Sequence, residues 1–340
     1  MRKLATIRKI EEIKSIPEAD KICAYRVGGW WVVDSVGKYT VDDLVVFCEV
    51  DSWMPTELAP FLTKGKEPRE FEGVKGERLR TVKLRGQLSQ GLLIPIPEDT
   101  IKGAGILVAD GLDVTDHFGI KKWERPMNAQ IAGLVRGNFP GLIPKTDQER
   151  CQNIKKEIQA AIDADLRFEV TEKLEGSSCT MYLDQEGEFH VCSRNMDLKM
   201  DENNAFWKAA IKYNVEQKLR DANLQGVAIQ GELIGPGIQG NIYKLSDIDF
   251  FVFDVYSVIG GGYLDPHDRR DLVATLGLKH VPVYDTQRAL VPVDQLLGWA
   301  DGNSVLGDAT GPLREGLVFK QANGGMSFKA ISNKYLLGEK

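Results

Sequence analysis

The sequence predicts an α+β chain in two parts, a small closed β-barrel followed by a larger domain in which helices are interspersed among hairpin-type strands. Three observations predict it. The 340 residues divide into about two domains at roughly 150 residues each. The first hundred read as five or six short strands with turn punctuation, the pattern of a small barrel of OB type. Further on, strands composed for hairpins alternate with helical periodicity instead of regular βαβ units.

Taken in order, LATIRKI alternates, and ICAYRV and WWVVDSV are joined by Gly28-Gly29, a two-residue connection that predicts a hairpin. DLVVFCEV follows, and TVKLRG sets Val82 and Leu84 against Thr81, Lys83 and Arg85 before GLLIPIP. This gives an OB-like domain over 1–105. The Gly- and Asp-rich run KGAGILVADGLD predicts a linker over 106–126, ahead of a second domain at 127–340. Thr146-x-x-Glu149 has the form of a capping box, and Cys151, Ile154, Ile158 and Ile162 then keep helical spacing. RFEVTEKLEGSSCTMYL reads as strand, with a turn at Asp184–Gly187 into FHVCSRN. AFWKAAIKYNVEQKLRDA predicts one helix, VAIQGELIG and DFFVFDVYSV buried strands, and GLVFKQ and MSFKAI the last two strands.

An apolar share of 43% and a charged share of 27% exclude a collagen-like or disordered chain. Lys+Arg 43 against Asp+Glu 49 leaves a net charge of −6, so a nucleic-acid surface must be a local patch. Residues 62–86 supply one, with eight Lys or Arg against four Glu and Phe71 interleaved. Lys64, Lys66, Arg78, Arg80, Lys83 and Arg85 are its candidate contacts. A solvated, charge-balanced loop with Trp30 and Trp31 partly in the core fits the same residues. Five cysteines, with no C-x-x-C, argue against a disulfide framework or a Cys-rich zinc site and for a reducing, cytoplasmic setting. Neither a signal peptide nor a membrane span is read.

Several signatures fail. There is no P-loop, GQLSQG has one residue too many for G-x-S-x-G, and no H-E-x-x-H occurs among four histidines. GPGIQG (Gly235 to Gly240) matches G-x-G-x-x-G, but NIYKLSDIDF after it is not helical, which predicts a turn.

More information lies in Lys173-Leu174-Glu175-Gly176 at a strand end. Glu172 and Glu175 would keep the lysine protonated, the wrong state for a nucleophile, unless a divalent cation reversed the local balance. Glu232 in GEL and Glu315 in EGLVFK are further carboxylates, and Arg194 in SRN and Lys329 in SFK are cations suited to phosphate. Each alone is an ordinary surface or strand-end group, and Phe253 in FVFD reads as core.

In order, KLEG, SRN, GEL, FVFD, EGLVF and SFK resemble the six motifs of the covalent nucleotidyltransferases, the superfamily of nucleic-acid ligases and capping enzymes. PKTDQERCQN (Pro144 to Asn153) is similar to the lead-in of RNA ligases. The resemblance covers about 127–340 and implies an adenylyltransferase domain of antiparallel sheets and helices. It implies ATP and Mg²⁺ or Mn²⁺ as cofactors and Lys173 as the nucleophile that forms lysyl–AMP. It implies adenine stacked on Phe253, with Phe250 and Phe251 as open alternatives, Glu232 on the ribose and Arg194 on ribose or phosphate. Lys329 falls on the α-phosphate, Glu175 and Glu315 on the metal, and Gly176 at the turn beside the phosphate.

The family often has an alternating lysine pair where this chain has only Lys329, with Lys320 or Lys334 as substitutes. Glu175 stands where Asp is commoner. Eleven residues follow Lys329, too few for the OB domain that DNA ligases and capping enzymes carry behind the transferase, and the candidate barrel lies in front. That order resembles ATP-dependent RNA ligases with an N-terminal OB domain, which join RNA, or a nicked duplex with an RNA 3′-OH strand. The alternatives are a DNA ligase or capping-type enzyme, a nucleic-acid-binding protein on an inactive transferase domain, and an α+β protein with coincidental motifs.

Overall fold

The computed structural model describes residues 2–97, 107–124, 133–307 and 311–338. The chain divides into two compact units, Met1–Pro126 with Gln152–Lys155, and Met127–Cys151 with Lys156–Lys340. The expected boundaries at 105/106 and 126/127 fall outside the described residues.

Among the described residues, unit 1 is built of twelve short strands: β1 (Ala5–Lys9), β2 (Glu12–Ser15), β3 (Ile22–Val27), β4 (Trp30–Ser35), β5 (Leu44–Cys48), β6 (Ser52–Pro55), β7 (Arg69–Phe71), β8 (Val74–Arg78), β9 (Val82–Leu84), β10 (Gln87–Ser89), β11 (Leu92–Ile94) and β12 (Lys121–Lys122). They pair as β1-β5-β11, β2-β3-β4, β12-β6-β8-β7 and β9-β10. Alternation along β5 divides the apolar side chains: Val46 and Cys48 enter one cluster with Leu4, Ile7 and Met54, while Val45 and Phe47 enter another with Tyr25, Trp30 and Leu93. Gly28-Gly29 makes the expected turn between β3 and β4. It also lets the chain approach Gln152, whose carbonyl accepts from Gly29 N at 3.0 Å; a Cβ on Gly29 would meet Gln152 Cα at 2.6 Å.

Residues 107–124 are not the expected linker. Val114 N donates to Ala5 O at 2.9 Å, Ile7 N to Leu112 O at 2.8 Å, and β12 pairs with β6. Val114 and Ile120 lie in the barrel core. Burial of these side chains on β1 outweighs the loop-like Gly and Asp content.

The described strands of unit 2 form two sheets. One runs β13 (Val135–Asn138), β18 (Met196–Leu198), β17 (Phe189–Cys192), β16 (Ser177–Leu183), β19 (Val227–Ile234), β20 (Asp249–Ser257) and β21 (Gly262–Tyr263), with β22 (Lys279–His280) also on β20. The other runs β14 (Glu149–Arg150), β25 (Ser327–Ile331), β24 (Gly316–Gln321), β15 (Arg167–Lys173) and β23 (Val283–Ala289). The first sheet packs its outer face, with Ile229, Leu233, Phe250 and Val252, against the helices Ala205–Lys212, Val215–Asp221 and Pro266–Thr275. Two local expectations fail here. The helix over 205–222 is broken by Asn214, which takes a left-handed φ of 50°. Glu149–Arg150 is a strand parallel to β25, and the helix begins only at Lys155. The capping box loses because backbone pairing with β25 claims Glu149, and Thr146 Oγ1 lies 3.0 Å from Ser178 Oγ.

Candidate active site

Strand alternation places Glu169, Thr171 and Lys173 on one face of the second sheet, opposite the core residues Phe168 and Val170. The registers Thr171↔Val318 and Val318↔Lys329 carry that face across β24 to Lys329. In the first sheet the same rule separates Phe250, in the outer core, from Phe251, which faces inward with Ile234 and with Phe253 packed beside them. Phe250 is therefore removed from the nucleotide-stacking alternatives. Glu232 pairs with Ser178 on one side and Phe251 on the other.

Lys173 and Glu315 meet directly, Nζ to Oε2, at 2.7 Å. Burial works to lower the lysine's proton affinity, but Glu315 and Glu232 outweigh it, and the pKa is raised above its usual value. Glu232 is pushed up to about 8, first by burial, against the pull of Lys173 and Arg194 and with the help of Glu315. The Gly176 N–H donates to it and favours its charged form. A Cβ on Gly176 would meet Leu233 O at 2.3 Å, so only glycine fits the turn after the lysine.

Glu175 is held at both ends by tyrosines that the sequence did not single out. Its N–H donates to Tyr243 Oη at 2.8 Å, and its carboxylate shares a hydrogen bond with Tyr335. Tyr335 lies in the field of both Glu315 and Glu175, and its hydroxyl pKa is raised, mainly by burial. Arg194 bonds Asp147 at 2.6 Å, which gives the Pro144–Asn153 lead-in a role at the site. Glu175 and Glu315 offer hard carboxylate oxygens of the kind a divalent cation takes.

The structure separates the remaining candidates. Lys329 shares the Lys173 face. Lys320 shares it too, but its Nζ is buried and bonded to Asp254 and to Phe253 O, each at 2.6 Å. Its pKa is lowered to about 8, chiefly by burial. Lys334 is exposed on the short terminal helix Asn333–Leu337. Glu172 points to the opposite face, where Oε2 accepts from Tyr284 Oη at 2.7 Å and Val305 N at 3.2 Å. Gly235 and Gly237 take positive φ in a turn, as expected.

In unit 1, Lys64, Lys66, Arg80, Lys83 and Arg85 are exposed. Arg78 is not an open contact: its Nη2 bonds Asp51 at 2.5 Å, and its guanidinium lies 3.9 Å above the Trp123 ring. Phe71 packs on Trp53 at 5.5 Å. Among the described residues no helix is long and apolar enough to cross a membrane.

A family profile described as RNA ligase matches residues 166–334, and an OB-fold domain profile matches 4–96. No curated protein matches the sequence. Among solved structures, Naegleria gruberi RNA ligase with PPi is 42% identical with a TM-score of 0.89, over 99% of this chain and 98% of that one. A lysine-to-alanine variant of that ligase with ATP and Mn is 41% identical, TM-score 0.89, over 98% of each chain. A glutamate-to-alanine variant with AMP and Mn is 42% identical, TM-score 0.89, over 98% of each. An N-terminal OB-fold domain, a two-sheet domain carrying the KLEG lysine against Glu315, and this likeness along almost the whole length place the chain in the RNA ligase family.

Proposed function

We propose that unit 2 joins RNA ends in an ATP-dependent, three-step cycle in which Lys173 is the nucleophile, and that its preferred substrate is a nicked duplex with an RNA 3′-OH strand. The observation that carries the reading is the Lys173–Glu315 pair at 2.7 Å, faced by Glu232 from the other sheet. In the first step Lys173 Nζ attacks the α-phosphorus of ATP. An N–P bond forms, the bond to pyrophosphate breaks, and Nζ, an ammonium in the free enzyme, gives up two protons to solvent, one before the attack and one as the bond forms. In the second, an oxygen of the 5′-phosphate attacks the same phosphorus and lysine leaves. In the third, the 3′-hydroxyl attacks the 5′-phosphorus and AMP departs. Splitting one phosphoryl transfer in this way lowers each barrier.

The residues divide the work. Phe253 stacks on adenine, Glu232 and Arg194 hold the ribose and its neighbouring phosphate, and Lys329 places a point charge at the α-phosphate. Glu315 orients the lysine and holds its proton in the free enzyme. Mg²⁺ or Mn²⁺ fits Glu175 and Glu315; when bound it offsets their charge and eases loss of the lysine proton. Lys173, Glu232, Glu315 and Lys329 are all intact, which argues against a binding protein built on an inactive transferase.

The test is intact-protein mass after incubation with ATP and Mg²⁺, without RNA. Wild type gains one AMP and Lys173→Ala gains none. Equal mass gains in the two proteins, each checked to be free of AMP beforehand, remove Lys173 from the mechanism.

A further inference from the structure

Glu315 approaches Lys173 from the last residue of a loop, since β24 begins only at Gly316. Such a carboxylate needs an external anchor, and its neighbour supplies one. Arg314 Nε donates to Ala300 O at 3.0 Å, and its Nη2 donates to Trp299 O at 2.6 Å and to Asp301 O at 3.0 Å. These are carbonyls at the end of helix Val293–Ala300, which the helix itself leaves unpaired. One planar guanidinium takes three of them, and its charge suits the negative end of the helix dipole. Arg314 N also donates to Gly302 O at 3.0 Å.

We propose that Arg314 is the positioning residue of Glu315, clipping the loop end to this helix terminus so that the carboxylate stays opposite Lys173. The proposal rests on the roles of Lys173 and Glu315 given above. Two further features support it. Gly302 has φ +142°, and a Cβ there would lie 3.0 Å from Arg314 Nη2 and 3.3 Å from Cζ, so the space is shaped to the guanidinium. On the far side of Glu315, Ser332 N donates to Glu315 O at 2.9 Å, and Ser332 Oγ donates to Asp301 Oδ1 at 2.7 Å. Asp301 thus holds the Arg314 guanidinium through its carbonyl and the Ser332 hydroxyl through its carboxylate, the two groups that flank Glu315. The guanidinium also stacks 4.9 Å from the Tyr284 ring, whose hydroxyl is fixed by Glu172. That gives Glu172, adjacent to the nucleophile but facing away, a share in the same support.

The experiment is single-turnover formation of the protein–AMP adduct with ATP and Mg²⁺, reading both the rate constant and the final fraction modified. A misplaced group of about 1 Å costs on the order of 100-fold, so Arg314→Ala should slow the step 10- to 100-fold with the final fraction and the half-saturating ATP concentration unchanged. Arg314→Lys, which cannot bridge three carbonyls, should recover only part of the rate. Arg314→Ala combined with Glu315→Ala should be no slower than Glu315→Ala alone. A wild-type rate constant with a reduced final fraction means that Arg314 only supports folding, and overturns the proposal; additive losses in the double variant do the same. If Arg314→Ala does not fold, Gly302→Ala displaces the guanidinium while keeping its charge, and should give the slow step with full modification. A wild-type rate constant in Gly302→Ala overturns the clamp. Should Arg314→Ala react normally while Glu315→Ala is slow, the clamp is wrong and the ligase chemistry stands. Should wild type take up no AMP, both fall.

Discussion

Glu232 carries an electrostatic cost that can be read in the free protein. Burial lifts its pKa from 4.5 to about 8, so between those values the folded state holds a proton that the unfolded state releases. Stability therefore falls as pH rises through this window. Lys173 does not produce that slope. Its pKa is raised above 10.5, so its contribution is complete at neutral pH and fades only when pH climbs through the raised value. Glu232→Gln keeps the shape and removes the charge. Without nucleotide, its melting temperature should exceed that of wild type by a few degrees at pH 8–9, with the gap closing toward pH 5, while ATP-dependent modification is lost. Parallel melting curves from pH 5 to 9 would show that the carboxylate is not strained by its surroundings. Glu315, paired with Lys173 Nζ at 2.7 Å, is what keeps the proposed nucleophile protonated in the free protein until phosphate and cation enter.

At the level of elements, the site depends on how closely strands can approach. Gly316, next to Glu315, opens β24 and pairs with Lys173 on one side and Ile331 on the other. A Cβ there would meet Ala330 O at 2.2 Å, a clash that backbone movement alone can relieve. Gly316→Ala should part β24 from β25, lower the melting temperature, and slow protein–AMP formation at least tenfold; unchanged rate and melting would show that the strands have slack. This constraint was invisible in EGLVFK, because a glycine in a strand does not say which carbonyl it faces. What was legible followed from turn chemistry, strand composition and motif order: the Gly28-Gly29 turn, the strands at β15 and β20, and two of the ordered motif residues, Lys173 and Glu315, that the fold brings within 2.7 Å. What was not legible was set by distant partners. The strand at Glu149–Arg150 and the clasp of 107–124 on β1 are choices made by tertiary contacts against a local signal, whereas the helix break at Asn214 uses the readiness of Asn to take a left-handed φ, here 50°. Tyr243, Tyr335 and Arg314 escaped notice for a related reason, since single residues far apart in sequence carry no spacing to read.

For the whole molecule, net charge −6 means that RNA must be held by local cations against an unfavourable average field. We propose the β9–β10 hairpin as one such set of cations. Its turn is Arg85-Gly86, both at positive φ, and it exposes Lys83 and Arg85 together with Val82 at 43% and Leu84 at 40% exposure. Arg78 is engaged by Asp51 and the Trp123 ring. Reversing both hairpin charges, as Lys83→Glu with Arg85→Glu, should weaken binding of a nicked RNA duplex. For every phosphate that the hairpin no longer neutralises, the slope of log affinity against log salt should also become shallower by about 1. Protein–AMP formation without RNA should be unaffected, because the chemistry of the first step lies in unit 2. The combination separates the two parts: weaker, less salt-sensitive RNA binding with normal modification places the strand grip on the hairpin. Unchanged binding and slope would remove the hairpin from the interface and move the search to Lys64, Lys66 and Arg80.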